Sequence, residues 1–180
     1  MNPHPAPDGG QVPADSPHLR VLSQYVKELS FRNAMGAASS QAYDVQPAID
    51  MGVEVKSRPV GGEGEAVEVD LCINVQANRG DAKMFTVDLV YAGLFQFMNV
   101  RADDVEPLLW IECPRLLFPF SRQILAEITR EGGYPPLLIN PIDFTPLYWS
   151  ELRDRQAREQ QPAPPGFGLT PELEPKRAGS

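Results

Sequence analysis

The sequence predicts an α+β fold: a four-stranded antiparallel sheet with helices packed on one of its faces. Three stretches between residues 49 and 91 alternate apolar and polar residues, which is the pattern of strands with one covered face. Beyond residue 98 the alternation stops, and apolar residues at helical spacing follow among helix-capping and helix-ending residues. Strands first and helices afterwards are typical of this fold class.

The three alternating stretches predict the central strands. Their apolar members share one parity and are Ile49, Met51, Val53 and Val55; Val67, Val69, Leu71, Ile73, Val75 and Ala77; and Phe85, Val87, Leu89 and Tyr91. Glycines at positions 61, 62 and 64 form the first turn region, and residues 78–81 predict a hairpin turn. After Gly93 we expect a fourth short strand at Leu94–Met98. The periodicity of residues 21–31 is ambiguous between another strand and an irregular edge segment.

Two helices are predicted directly after the sheet. Asp103 or Asp104 can cap the first, and the step from residue 113 to Pro114 is expected to interrupt it, because the residue before a proline avoids the helical region. The second is predicted from Pro119 to Glu131, and the two glycines that follow end it.

A last helix and two tails complete the prediction. Asp143 is expected to cap a helix that carries Phe144, Leu147, Tyr148 and Leu152. Residues 1–17 and 156–180 are rich in proline and glycine, a composition typical of disordered tails. The folded domain is therefore predicted to span residues 18–155.

Composition argues against most catalytic and nucleic-acid functions. The chain of 180 residues has a formal net charge of −8, which would repel a phosphate backbone and favour a basic partner. Its two histidines, His4 and His18, lie at or before the edge of the predicted domain, and no nucleotide, nucleophile or metal motif occurs. We therefore expect a binding protein without cofactor or metal, and not an enzyme.

The sequence shows no export signal and no membrane-spanning segment. The first 17 residues hold no Lys or Arg and no apolar core of a signal peptide, and no apolar run reaches the ~18 residues of a membrane-spanning helix. The expectation is a soluble protein of the cytosol, where Cys72 and Cys113 stay reduced.

The polar positions of the predicted strands are acidic. Asp50, Glu54, Glu68, Asp70 and Asp88 share one parity, with Lys56 as the base among them. One interpretation is an ordinary solvated face. The other is a docking surface for a basic segment, which electrostatic steering would favour and salt would weaken.

Apolar residues are more numerous than one small domain requires. They form five clusters, Leu94–Met98, Leu108–Ile111, Leu116–Phe120, Leu137–Ile142 and Phe144–Trp149. Any single one of these side chains is most simply a core residue. The whole set predicts an oligomer, with a groove left exposed, because large exposed apolar patches mark interaction sites.

Four motifs then show a family resemblance. Residues 113–122 read CPRLLFPFSR, which resembles the pattern C-P-x-x-L-F-P-[YF]-[AS]-R of the SecB family of bacterial protein-export chaperones. Residues 134–144 read YPPLLINPIDF and resemble F-P-x-L-x-L-x-P-[VI]-[ND]-F. Residues 27–31 (KELSF) and 91–95 (YAGLF) resemble K-[DE]-[IL]-S-F and x-x-G-[IV]-F. The resemblance runs in one order over residues 19–155 and excludes the tails.

The resemblance implies a fold and a function together. It implies the four-stranded sheet with helices on one side, assembled into a homotetramer as a dimer of dimers with helices between. It implies binding of unfolded precursor proteins before export and delivery to SecA, the translocation motor, whose basic, zinc-bearing C-terminal tail docks on the acidic sheet face. It implies no catalysis, nucleotide or metal in this chain.

The resemblance also assigns residues. The client-binding groove would be lined by Phe31, Val45, Ile49, Met51, Val53, Leu94, Phe144 and Leu147. Glu28 and Asp88 would contact SecA, and Phe85, Val87, Leu89 and Tyr91 would lie near the subunit contacts. Two positions depart from the family pattern: Arg32 stands where an acid is expected, and Thr86 where an apolar residue is expected.

Three other functions are also compatible with parts of the sequence. A small oligomeric α+β domain that binds an apolar ligand would explain the apolar surplus without unfolded clients. A SecB-like chaperone of a toxin–antitoxin pair would share the motifs. An enzyme that works through carboxylates and a bound metal is the least favoured, since no pair of acids stands in an apolar setting.

Overall fold

The structure is a computed structural model, and it describes residues 17–39, 46–62 and 66–159. Four strands, β1 (His18–Asn33), β2 (Ala48–Val60), β3 (Ala66–Arg79) and β4 (Ala82–Met98), form one sheet in the order β1-β4-β3-β2. All neighbours are antiparallel. The predicted tails, residues 1–17 and 156–180, lie mostly outside the described residues.

Helices follow the strands, as predicted. The segment α1 (Ala102–Pro107) leads through a π-helical turn (Leu108–Glu112) into α2 (Cys113–Glu131), and α3 (Thr145–Glu159) ends the described chain. The inward side chains of β3 and β4 pack under α2, where Leu117 and Leu125 are fully buried with them. The predicted α+β class, with helices on one sheet face, is confirmed.

The fourth strand is β1, and the prediction of a separate strand at Leu94–Met98 is wrong. Those residues are the end of β4, because Gly93 does not break the strand. A Cβ at Gly93 would lie 2.6 Å from the ring of Phe95 and 2.8 Å from Leu117. This glycine therefore serves the close approach of α2 to the sheet, and it is not a turn residue.

Two bulges explain why the periodicity of β1 is ambiguous. The register against β4 shifts between Val21 and Ser23 and again between Val26 and Glu28. Each extra residue exchanges the inward and outward parity of the residues that follow it. A single alternating pattern therefore cannot run through residues 18–33.

The start of the helical half differs from the prediction in two ways. Arg101 precedes α1 without a side-chain cap, and Asp104 instead accepts a hydrogen bond of 2.7 Å from the Arg101 guanidinium. The step from Cys113 to Pro114 does not interrupt the helix, because Cys113 keeps helical dihedral angles. The wider π turn precedes Pro114, which stands in the first turn of α2, where a missing N–H costs little.

The ends of α2 and α3 agree with the sequence. Glu131 is the last residue of α2, and Gly133 follows with φ of 82°, a left-handed conformation that favours glycine. Asp143 accepts a hydrogen bond of 3.0 Å from the Thr145 N–H at the start of α3, so the predicted cap is confirmed. The same bond lowers the pKa of Asp143.

The two cysteines lie on different sides of the sheet and are both free. Cys72 is half-buried on the outward face, opposite Glu54 and Val90. Cys113 is buried under the helices, and burial raises the pKa of its thiol to about 12. Cys113 therefore packs as a small apolar residue, as the sequence predicts, whereas for Cys72 this stays a prediction.

Candidate functional site: two sides of the sheet

The outward face of the sheet carries the five predicted acids. The strand registers place Asp50, Glu54, Glu68, Asp70 and Asp88 together on this face. Lys56 stands opposite Asp70, and Arg58 opposite Glu68. The prediction that Lys56 is the base among these acids is therefore incomplete, because Arg58 has the same parity and Lys27 joins from β1.

Glu68 is neutralised within the chain. Only 3 % of the residue is exposed, and its carboxylate accepts hydrogen bonds from Arg58 Nη2 (2.7 Å), Tyr25 Oη (2.7 Å) and Lys27 Nζ. Burial by itself would raise the pKa of Glu68, but the bonds from Arg58, Lys27 and Tyr25 outweigh it and lower the pKa to about 2. A basic partner gains little from this acid, because its charge is already paired.

Lys27 reaches these acids through the second bulge of β1. It is the extra residue between Val26 and Glu28, and its ammonium group extends past β4 to Asp70 (2.6 Å) and Glu68 on β3. The β4 residue opposite Asp70 is Ala92, whose small side chain leaves room for the crossing. The parity of β2 could have revealed Arg58 in the sequence, whereas the orientation of Lys27 depends on a bulge that no local pattern marks.

Glu28 and Asp88 lie in the other half of the outward face. They line one shallow depression of about 500 Å³, together with Glu54, Lys56, Cys72 and Asn74. Gly52 opens its β2 side, where no atom lies within 4 Å of the position a Cβ would take. The two acids predicted for docking are thus brought together on an exposed surface.

The two departures from the family pattern are direct neighbours. Arg32 of β1 pairs with Thr86 of β4, one outward step from the pair Ser30 and Asp88. A guanidinium at this position lowers the negative potential at one end of the depression. A basic partner would therefore be attracted more strongly at Glu28 than beside Arg32.

The inward face of β2 carries part of the predicted client groove. Ile49 is 41 % exposed, Met51 is 37 % exposed, and Val53 is half-buried beside them. Val53 also lines a pocket of about 190 Å³ with Val55, Trp110, Leu147 and Tyr148, between β2 and α3. The structure therefore brings four of the predicted residues, Ile49, Met51, Val53 and Leu147, to one side of the molecule.

The other predicted groove residues lie elsewhere. Phe31 belongs to β1 at the opposite edge of the sheet, where its ring packs on Phe85 at 5.9 Å. Leu94 faces outward, opposite Glu68. Phe144 is fully buried in the core, and Val45 lies outside the described residues.

The residues predicted near subunit contacts are used inside the chain. Phe85, Val87, Leu89 and Tyr91 are at most 8 % exposed and belong to the core under α2. Whether their strand borders another subunit stays a prediction. The side chains that β4 offers to the outside at this place are Thr86, Asp88 and Val90.

Exposed apolar residues remain on β1 and α2. Val21, Leu22, Val26 and Leu29 along the edge strand β1 are each about two-fifths exposed, and Leu116 and Phe120 of α2 are 42 % and 48 % exposed. Tyr91 supports Phe120 from below with a ring stacked at 6.1 Å. These two surfaces would be covered in an oligomer.

Two kinds of site are absent from the described part of the chain. Over residues 17–39, 46–62 and 66–159, no three side chains of His, Cys, Asp or Glu meet in a way that could hold a metal ion. Within the part of the chain that the structure describes, no helix is long and apolar enough to cross a membrane.

Comparison with known proteins points to one family. The family model described as "Preprotein translocase subunit SecB" matches residues 13–155. The protein named protein-export protein SecB of Hyphomonas neptunium is 51 % identical over 154 residues, 86 % of this chain and 90 % of its own. The proteins of the same name from Maricaulis maris and Agrobacterium fabrum are 45 % and 42 % identical over 83 % and 88 % of this chain, and 89 % and 98 % of their own.

A solved structure shares the fold. The SecB-like chaperone of Mycobacterium tuberculosis, solved in complex with a peptide from an antitoxin, superposes with a TM-score of 0.58. The match covers 69 % of this chain and 91 % of that one at 14 % identity, so the likeness is one of fold.

Proposed function

This chain belongs to the SecB family of preprotein translocase subunits, and on that premise we propose that it is a molecular chaperone of protein export. It binds unfolded precursor proteins, keeps them competent for translocation and delivers them to SecA. The observation that supports this best is the separation of two surfaces by one sheet: exposed apolar side chains at β2 on the inward side and the exposed acids Glu28 and Asp88 on the outward side.

The inward side suits an extended, unfolded client. Since β2 is an edge strand, its outer backbone N–H and C=O groups have no strand partner within the sheet and can pair with an added strand. Ile49 and Met51 alternate along that strand and stand beside the groups that would pair. Apolar contact of this kind tolerates many sequences, and methionine adapts its shape, so selectivity comes from the client being unfolded.

The outward side suits a basic partner segment. We assign the contact with SecA to the depression around Glu28 and Asp88, and the partner chemistry to the basic, zinc-bearing tail of that motor. Glu68 and Asp70 contribute less, because Lys27 and Arg58 already hold them. A client and SecA can then bind at the same time, on opposite faces of one sheet.

The chaperone acts as a homotetramer in the cytosol, without cofactor or catalytic step of its own. The exposed apolar residues of β1 and α2 are the surfaces that support assembly. Four copies of the 19.9-kDa chain amount to about 80 kDa. Neither the apolar-ligand function nor the toxin–antitoxin function has a specific observation in its favour, because the solved relative with the antitoxin peptide shows fold similarity alone.

Light scattering after size exclusion tests the function. The protein is run alone, with a reduced, slowly refolding client, and with the same client in its folded form. We expect the mass to rise by one client with the unfolded form only. A chain that ignores the unfolded client, or binds both forms alike, contradicts the chaperone function.

A further inference from the structure

The last helix is held in two different ways along its length. Phe144, just before α3, is fully buried, and Tyr148 in its first turn is 8 % exposed, so this end is anchored in the core. From residue 149 to residue 157 no side chain is buried. The second half of α3 therefore depends on contacts at its surface.

Arg155 provides such a contact. Its Nη1 lies 2.9 Å from Glu106 Oε1 of α1, and its guanidinium lies 5.7 Å from the centre of the Trp110 ring, in cation–π geometry. One arginine thus ties α3 to both α1 and the π turn. Because both members of the ion pair are 42 % exposed, the contact is weak enough to open under ordinary conditions.

The contact lies beside the pocket of about 190 Å³ between β2 and α3. Leu147, Glu151 and Arg155 follow each other at intervals of four residues and so lie on one side of α3. Leu147 and Glu151 line the pocket, and Trp110, which the arginine covers, lines it too. Moving Arg155 away would free the indole and the second half of the helix together.

We propose that Arg155 is a positioning residue that holds α3 over the pocket between Val53, Trp110 and Leu147 and thereby limits the entry of a client side chain. This rests on the proposed chaperone function, since the pocket adjoins the exposed apolar residues of β2. A cavity of about 150 Å³ accommodates a benzene ring. With Arg155 in place the pocket therefore has room for one ring-sized side chain, and release of Arg155 would admit a longer segment.

Fluorescence of Trp110 tests the contact without any client. The chain has two tryptophans, so Trp149→Phe, at a position 56 % exposed, leaves Trp110 as the one indole. In that background Arg155→Ala should raise acrylamide quenching of Trp110 roughly two- to fivefold, as expected for loss of a weak ion pair and a cation–π contact. Arg153→Ala, an exposed arginine two residues earlier on α3, is the matched control and should leave quenching unchanged.

Conservative variants and salt separate positioning from general loosening. Glu106→Gln removes only the ion pair and should give an intermediate rise, and Arg155→Lys should restore part of the protection, since lysine keeps the charge but not the planar guanidinium. Raising the salt concentration should increase quenching in the Trp149→Phe protein and change the Arg155→Ala protein little. Circular dichroism confirms that each variant is folded.

The effect on clients is measured by stopped flow with a reduced, unfolded protein. Arg155→Ala should speed association about two- to tenfold relative to Arg153→Ala, because an open pocket removes a step before entry. Quenching equal to that of the control, or greater quenching with an unchanged association rate, would overturn the proposal. If the unaltered chain binds no client at all, the chaperone function fails, and the quenching still decides whether Arg155 holds the helix.

Discussion

Glu68 is the residue in which burial and charge oppose each other most strongly. Its carboxylate is nearly inaccessible, yet it stays ionised because Arg58, Lys27 and Tyr25 donate to it from two other strands. This cluster joins β1, β3 and β2 across the outward face. The cluster stabilises the sheet, and the acids in it are less available to a basic partner because their charges are already paired.

Replacing Glu68 by Gln should reduce stability at neutral pH. We expect a loss of about 1–3 kcal/mol in the free energy of unfolding, below the full value of the pKa shift, because Lys27 and Arg58 remain partly solvated. The folded pKa is depressed, so the contribution is present above the unfolded pKa of 4.5 and is lost as pH falls toward about 2. Urea unfolding at pH 7 and at pH 3 measures it.

Glu54→Gln is the control for that experiment, since Glu54 pairs with Lys56 on the surface with 64 % of its side chain exposed. It should change stability by no more than about 0.5 kcal/mol. A Glu68→Gln protein as stable as the parent at pH 7 would contradict the assigned role of the cluster.

Asp88 is the residue through which the docking proposal is most directly tested. Asp88→Lys should weaken binding of the basic SecA tail about tenfold at low salt, and less at high salt, while client capture is kept. Isothermal titration with the zinc-loaded tail peptide provides the affinity. Asp103→Lys, exposed on α1 away from the sheet, carries the same charge change. Equal affinities of the two variants at low salt would move the docking site elsewhere.

At the scale of elements, β2 is the strand whose two faces serve different partners. Met51 faces inward opposite Val75, while the next residue, Gly52, faces outward opposite Asn74. A single step along the strand therefore separates the proposed client surface from the proposed SecA surface.

Met51→Asp should weaken capture of an unfolded client about tenfold, because a carboxylate replaces an apolar contact on the exposed inward face. The matched variant is Gly52→Asp, which adds the same side chain to the same strand on the other face, where a Cβ has no atom within 4 Å. Suppression of client aggregation, followed by turbidity, compares the two. If the Met51→Asp protein protects the client as well as the Gly52→Asp protein does, Met51 is not part of the client-binding surface.

In the helical half, the chain stays helical past Pro114. Pro114 falls in the first turn of α2, directly after the π turn, so the helix begins six residues earlier than the sequence predicts. The π turn also carries Trp110 to the pocket between β2 and α3. The distortion that accommodates the proline thereby places a side chain of the proposed client pocket.

At the scale of the whole molecule, a single chain leaves apolar side chains of β1 and α2 exposed to solvent. Phe120 is a large ring held by Tyr91 and left half uncovered on α2, which suits the helix contact proposed between dimers. Phe120→Asp should split the tetramer of about 80 kDa into dimers of about 40 kDa. Light scattering measures the mass, with Gln156→Asp at the exposed end of α3 as control. A Phe120→Asp protein that remains a tetramer would exclude this residue from the contact.

Much of the fold follows from local sequence patterns. The alternation in β2, β3 and β4 fixes which side chains share a face, and Gly133 follows the end of α2 with a positive φ that few other residues adopt. The same parity argument places the acids on the outward face. It also places Leu94 on the outward face, away from the predicted groove residues of β2.

Only the tertiary structure decides what stands across from each of these residues. The bulge that turns Lys27 toward Glu68, the helix that approaches Gly93 and the core that closes over Phe144 all involve partners distant in sequence. A local pattern reports the face on which a side chain lies, but not whether a distant base will neutralise it or a helix will bury it. The sequence by itself therefore determined three of the four strands, the acidic face and the family. The tertiary structure decided how β1 completes the sheet and which of those acids and apolar residues remain free to bind a partner, because both depend on contacts between residues distant in sequence.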